Sequence, residues 1–251
     1  MGLILWVIVP YVTFTIFVAG TVWRFRHDQF GWTSRSSQLY ESRLLRLGSP
    51  LFHYSLLMVM AGHFGGIVVP NTWTAAAGVS EEAYHFVATT LGTLAAVGLI
   101  SGVLILTYRR GRSRRLQLVS TTMDKIMFGM LGASILSGTW ATVQLQVFGS
   151  LGGGHGYDYR ESISPWFRSL WILRPEVALM EGVPLPFQVH MIIAFLLFAL
   201  WPFTRLVHAF SAPVGYLTRP YVVYRFRDDG GTTGPRKGWE LPSIPGRTSK
   251  R

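Results

Sequence analysis

The chain has 251 residues, of which 49% are apolar and only 14% charged, which excludes an ordinary soluble domain and points to a protein dissolved in lipid. It has no cysteine, which removes disulfides, iron-sulfur ligation, zinc-thiolate sites and covalent haem attachment together, so any metal must sit on histidine or carboxylate. The net charge of +11 then asks which side of a bilayer carries the arginines and is no sign of nucleic acid.

Apolar runs predict five membrane-spanning helices, near Gly2 to Trp23, Pro50 to Pro70, Tyr84 to Tyr108, Lys125 to Phe148 and Pro186 to Phe210. The first lacks a basic leader and a small-residue cleavage motif and reads as a retained span. Arg24, Arg26, Arg35, Arg43 and Arg46 follow it, and Arg109, Arg110, Arg112, Arg114 and Arg115 follow the third span. The loops at Asn71 to Ala83 and Gly149 to Leu185 hold only Arg160, Arg168 and Arg174 against Glu81, Glu82, Asp158, Glu161, Glu176 and Glu181. Basic loops stay in the cytoplasm, so the N-terminus is expected outside and the C-terminus inside. The fold class is therefore an all-α membrane bundle over residues 1–227. Residues 228–251, rich in Gly, Pro, Ser and Thr, form a polar tail expected to be flexible or ordered on a partner. Within the second acidic loop, Gly152 to Gly154 form a flexible run, and the aromatic stretch Pro165 to Leu173 is too short to span and is expected in the membrane interface.

Four of the seven histidines fall inside predicted spans: His53 and His63 in the second, His190 and His208 in the fifth. Ionisable groups in a bilayer are costly, and neutral imidazole is the commonest metal ligand. In a chain without cysteine, these are the natural axial ligands for the iron of b-type haem. The two helices run in opposite directions, so depth pairs His53 with His208 toward the cytoplasm and His63 with His190 toward the outside. The match is imperfect, since ten residues of helix rise ~15 Å and eighteen rise ~27 Å. The competing reading is a set of histidines that hydrogen-bond between helices, in a transporter or a haem-free anchor, and it predicts no Soret band.

Glycines at 62, 65 and 66 flank His63 and admit either a macrocycle or a neighbouring helix. Arg205, one turn from His208, is placed either to pair with haem propionates or to snorkel to the surface. His85 opens the third span after Glu81 and Glu82. It serves there either as a proton acceptor for quinol or as an interfacial helix start. His27 is expected at the cytoplasmic surface, and His155 has no assigned role.

The sequence resembles the gamma, or cytochrome b, subunit of respiratory nitrate reductase. The residues that carry the resemblance are Leu51-Phe-His with His63-Phe ten positions on, the eighteen-residue spacing of His190 and His208, and two strings: Asp28-Gln-Phe-Gly-Trp-Thr-Ser-Arg-Ser-Ser-Gln, and Pro202-Phe-Thr-Arg-Leu-Val-His running on to Pro213-Val-Gly-Tyr-Leu-Thr-Arg. The resemblance implies a multi-pass subunit of the bacterial cytoplasmic membrane with two b haems. Such a subunit oxidises quinol, menaquinol or ubiquinol, near its outer haem. Electrons then pass to a cytoplasmic iron-sulfur beta subunit and a molybdenum-containing alpha subunit that reduces nitrate. By position, His53 and His208 resemble the ligands of the inner haem, and His63 and His190 those of the outer haem. Some members use a lysine after the second span in the quinol site. Here Glu81, Glu82, Ala83, Tyr84 and His85 stand in that stretch, and His85 with Gly65 and Gly66 is the candidate quinol site. Within the same chemistry, the alternative is a dihaem anchor for a formate dehydrogenase, a hydrogenase or a sulfur-cycle reductase.

Overall fold

A computed structural model describes residues 2–32, 37, 40, 42–151, 156–211 and 218. The run Gly152 to Gly154, His155, the string from Pro213 to Arg219 apart from Thr218, and the tail at 228–251 lie outside the described residues. Five helices are long and apolar enough to cross a membrane: α1 (Ile4–His27), α2 (Arg43–Val68), α3 (Glu81–Arg112), α4 (Thr122–Val147) and α5 (Leu185–Phe203). No strand occurs among the described residues. Large apolar side chains such as Leu94, Val97, Leu104 and Leu136 stay exposed on these helices, as lipid-facing positions require.

Local chemistry sets the helix ends. Thr121 and Asp124 form a reciprocal capping box at the start of α4. At α3, the Ser80 hydroxyl accepts from the Ala83 amide, acidic Glu81 and Glu82 fill the first turn, and Arg109, Arg110 and Arg112 fill the last, each sign opposing the helix dipole. The second span begins earlier than its apolar run: Pro50 lies inside the helix, which starts at Arg43. The prediction stopped at Pro50 because Arg43, Arg46 and Ser49 lower the hydropathy, although the backbone continues through them.

The fifth span departs furthest from expectation. Continuous α-helix ends at Leu200, a short 3-10 turn (Trp201–Phe203) follows, and Thr204 is extended, with φ −114° and ψ −179°. A second 3-10 segment, Arg205–Ser211, then carries His208. Pro202 cannot donate to the helical ladder, so the helix yields there. The carbonyls freed by the break are taken by Arg24 of α1, which donates to Pro202 O at 2.6 Å and Thr204 O at 2.8 Å. The eighteen residues from His190 to His208 are therefore not one straight rise, and the mismatch of depths expected from ideal helices does not arise.

In the bundle α2 packs on α3, α3 on α4, α4 on α5 and α5 on α1, whereas α2 and α5 are not a closely packed pair. The α2–α3 contact is close because glycine allows it: a Cβ at Gly102 would lie 2.8 Å from the backbone of Phe52. One core cluster holds Phe52, Leu99, Leu131 and Leu197. A second gathers Trp6, Ile163, Trp166, Leu170, Met180, Val183 and Phe195.

The second cluster shows what the aromatic stretch packs on within the protein. Residues Ile163–Trp171 form a short helix whose Ser164, Trp166, Ser169 and Leu170 are buried against protein. Pro10 has no N–H for the Trp6 carbonyl four residues back, and the indole Nε1–H of Trp166 donates to that carbonyl at 3.1 Å. The same helix serves the end of α2, where the Ser164 hydroxyl donates to Gly66 O at 2.7 Å and Arg168 donates to Ile67 O at 3.1 Å. Trp166→Phe keeps most of the buried ring but leaves the Trp6 carbonyl without this donor. The expected cost is ~1–3 kcal/mol, read as a lower midpoint of thermal unfolding in detergent.

Candidate functional site

The structure brings the four span histidines together as two facing pairs. His53 and His208 have ring centres 6.1 Å apart, and His63 and His190 are also 6.1 Å apart. His53 and His63 lie ten residues apart on one continuous stretch of α2, so the pairs sit at two levels separated by ~15 Å of helical rise. Each pair bridges α2 and the α5 chain, the elements whose backbones do not pack closely.

Hydrogen bonds orient the rings. The Nδ1 of His53 meets Ser49 O at 2.7 Å, that of His63 meets Val59 O at 2.8 Å, and that of His208 meets Arg205 O at 2.5 Å. A carbonyl only accepts, so these three rings carry their proton on Nδ1 and present the Nε2 lone pair outward. His190 is held from the neighbouring helix: its Nδ1 lies 3.1 Å from the Ser137 hydroxyl of α4, and that hydroxyl donates to Ser134 O at 3.1 Å. With its own proton so engaged, the Ser137 oxygen accepts from Nδ1–H, and all four histidines share one tautomer.

This donor set fits a bis-imidazole iron. A metal–imidazole bond of ~2 Å on each side of one iron brings the ring centres to ~6 Å, close to both observed separations. His53 and His63 are exposed on the protein surface of their spans, where an imidazole left to lipid would be costly without a metal or polar partner. Gly62 and Gly65, on either side of His63, have nothing within 4 Å of the position a Cβ would take. Gly66 differs: its Cβ position is closed by the Tyr159 hydroxyl at 2.8 Å and the Tyr84 hydroxyl at 3.2 Å.

Those tyrosines belong to a polar cluster beyond the His63–His190 pair. The Tyr84 and Tyr159 hydroxyls are 3.3 Å apart, and burial together with that contact pushes the Tyr159 hydroxyl well above its ordinary value, so it stays protonated. Arg160 is almost fully buried, lies 3.9 Å over the Tyr84 ring, donates to Thr74 at 2.8 Å and reaches Glu81 at 3.4 Å. Ligand atoms of Glu81, His85 and Asp158 gather within 4.8 Å of one another. The guanidinium beside Glu81 already supplies a cation there, and the group is an acid–base cluster. Sequence reasoning found His85 but counted Arg160 only as a loop charge. Its packing on Tyr84, 76 positions earlier in the chain, leaves no local signal.

At the opposite end, Arg205 does not stand alone. Its Nε and Nη2 fork onto the two oxygens of Asp124 at 2.5 and 2.6 Å, and Arg110 lies 3.9 Å from the same carboxylate. Asp124 is 3% exposed. The remaining histidine among the described residues, His27, ends α1 exposed and stacked on Trp23, as its surface reading expects.

Five helices long and apolar enough to span a membrane, with four histidines set in two facing pairs, define the class: a multi-pass helical membrane protein. The family follows from comparison. Residues 2–227 match the model of the nitrate reductase gamma subunit family, and the chain belongs to that family. It is 46% identical over 226 residues to the nitrate reductase gamma chain of Bacillus subtilis, covering 90% of this chain and 99% of that one. Against the respiratory nitrate reductase 2 gamma chain of Escherichia coli K12 it is 32% identical, over 88% of this chain and 95% of that one. The nitrate reductase-like protein NarX of Mycobacterium tuberculosis is 52% identical over 95% of this chain, and the match spans only 36% of NarX.

Proposed function

We propose that this membrane protein is the quinol-oxidising cytochrome b subunit of a nitrate reductase complex, carrying two b haems. The observation that supports it most is the repetition of one geometry at two depths: paired imidazoles with ring centres 6.1 Å apart, each with its Nδ1 engaged by a hydrogen-bond partner. When bound, haem supplies a one-electron carrier at each pair.

The residues of the chain do the rest. His53 and His208 hold the inner group, and His63 and His190 the outer one. Gly62 and Gly65 leave room beside the outer pair, whereas Gly66 is the seat of Tyr84 and Tyr159. Quinol binds at the Gly65 edge of this region, and His85 with Glu81 and Asp158 takes its protons to the outer surface, with Arg160 fixing the carboxylates. Arg205 is read as an anchor, because its fork is engaged by Asp124, and not as the principal propionate partner. The basic end of the bundle, with Arg24, Arg43, Arg46, Arg109, Arg110 and Arg112, faces the cytoplasm and docks the iron-sulfur beta subunit, which serves a molybdenum-containing alpha subunit. Electrons cross inward while protons leave outward, so charge is separated without a proton channel.

A pyridine haemochrome count with a reduced-minus-oxidised spectrum on the full chain in detergent tests the reading. The expected result is two b haems per chain. A folded, membrane-inserted chain without a Soret band would return the histidines to packing or proton transfer.

A further inference from the structure

Three of the four paired histidines are oriented by a backbone carbonyl of their own segment, three or four residues back. His190 is oriented across a helix interface instead. Its Nδ1 meets the Ser137 hydroxyl at 3.1 Å, and Ser137 is 7% exposed with its own proton committed to Ser134 O. The next residue on α4 is Gly138, where a Cβ would stand 2.9 Å from His190 Cε1. The residues Ser137 and Gly138 are thus shaped to the ring, with a hydroxyl at Nδ1 and a missing side chain beside Cε1.

We propose that Ser137 is a positioning residue that sets the redox potential of the haem on His63 and His190, by accepting the Nδ1 proton of His190. The inference rests on the dihaem reading above and adds a control that acts on one haem only. An acceptor on the far nitrogen raises the basicity of an imidazole ligand, which favours the ferric state and lowers the potential. A hydroxyl on a separate helix is also a partner that moves with α4, unlike the carbonyls that hold the other three rings. His63 and His190 themselves are untouched when the hydroxyl is lost, so the effect is a shift and not loss of the haem.

The test is a redox titration of the two haems by optical and electron paramagnetic resonance spectroscopy, on the full chain, in wild type, Ser137→Ala and Ser137→Thr. In Ser137→Ala the haem that disappears in His190→Ala should move to higher potential by ~30–60 mV, a three- to tenfold change in its ferric/ferrous ratio at 59 mV per tenfold. Its low-spin ferric g-values should change with it, and the other haem should stay fixed. Ser137→Thr, which keeps the hydroxyl, should restore both. Two haems with unchanged potentials in Ser137→Ala, or a shift confined to the His53–His208 haem, overturn the role of Ser137 and leave the dihaem reading intact. A wild-type chain with no haem overturns the dihaem reading itself, and the inference with it.

Discussion

Alanine at His63 or at His190 is expected to remove one and the same haem, and alanine at His53 or His208 to remove the other. The count falls from two per chain to one in each single variant. His63→Ala combined with His190→Ala should look like either alone, while His63→Ala combined with His208→Ala should leave none. The expectation follows from geometry: a ring on α2 has a partner ring at 6.1 Å on the α5 chain, one at each level, and the levels are ~15 Å apart, so neither imidazole can reach across to the other pair. On the dihaem function proposed above the two groups act in series, so either loss should bring quinol-driven electron transfer to background in the assembled complex. Transfer from an artificial donor that enters at the inner haem should survive loss of the outer pair. Haem content by pyridine haemochrome, together with difference spectra, checks the pattern. A double variant of one pair that loses more than either single variant would break the pairing.

Much of this site could be read from the sequence because a helix maps residue number onto depth. Four histidines on two antiparallel spans can pair in only one depth-matched way, and the structure has that pairing. The quantitative misfit came from treating the fifth span as straight. Pro202 was the available warning, since a helix-interior proline removes a ladder bond, but how far the chain turns after it depends on Thr204 and on capture of the freed carbonyls by Arg24. That partner sits 178 residues away in sequence.

The polar supports of the site were illegible for the same reason. Periodicity reports which face of an element is apolar; it does not report which distant side chain meets it. Asp124 announces a helix start through its capping box, yet nothing local pairs it with Arg205, 81 residues on. Ser137 reads as one small residue among several in α4 and gains meaning only beside His190. The amphipathic pattern around Trp166 does not say which distant side chains cover its buried face, and in the structure they are Trp6, Met180 and Phe195.

Asp124→Asn is expected to cost ~3 kcal/mol and to release the inner haem while sparing the outer one. The carboxylate accepts from Arg205 at 2.5 and 2.6 Å, stands 3.9 Å from Arg110 and caps α4 through the Thr121 amide at 2.9 Å. Asparagine keeps one acceptor for the cap but turns an amide NH₂ toward two guanidinium groups, leaving neighbouring cations without their shared anion. The Arg205 and Arg110 side chains are 15% and 19% exposed, so water recovers part of the loss and the cost falls at the low end of the range for a broken buried pair. The consequence for haem follows from the chain: Arg205 opens the 3-10 segment that bears His208, and its own carbonyl orients the His208 ring. With the anchor gone, that segment loses its tie to α4 just beyond the break at Thr204, and the inner bis-histidine geometry loosens. The outer pair, fixed by α2, Ser137 and the continuous part of α5, keeps its support. Thermal unfolding in detergent and the haem-to-protein ratio read the two effects separately, and Asp124→Glu, which retains the charge, should recover part of both. Unchanged stability with both haems retained in Asp124→Asn would mean that Arg205 is not what holds His208 in place.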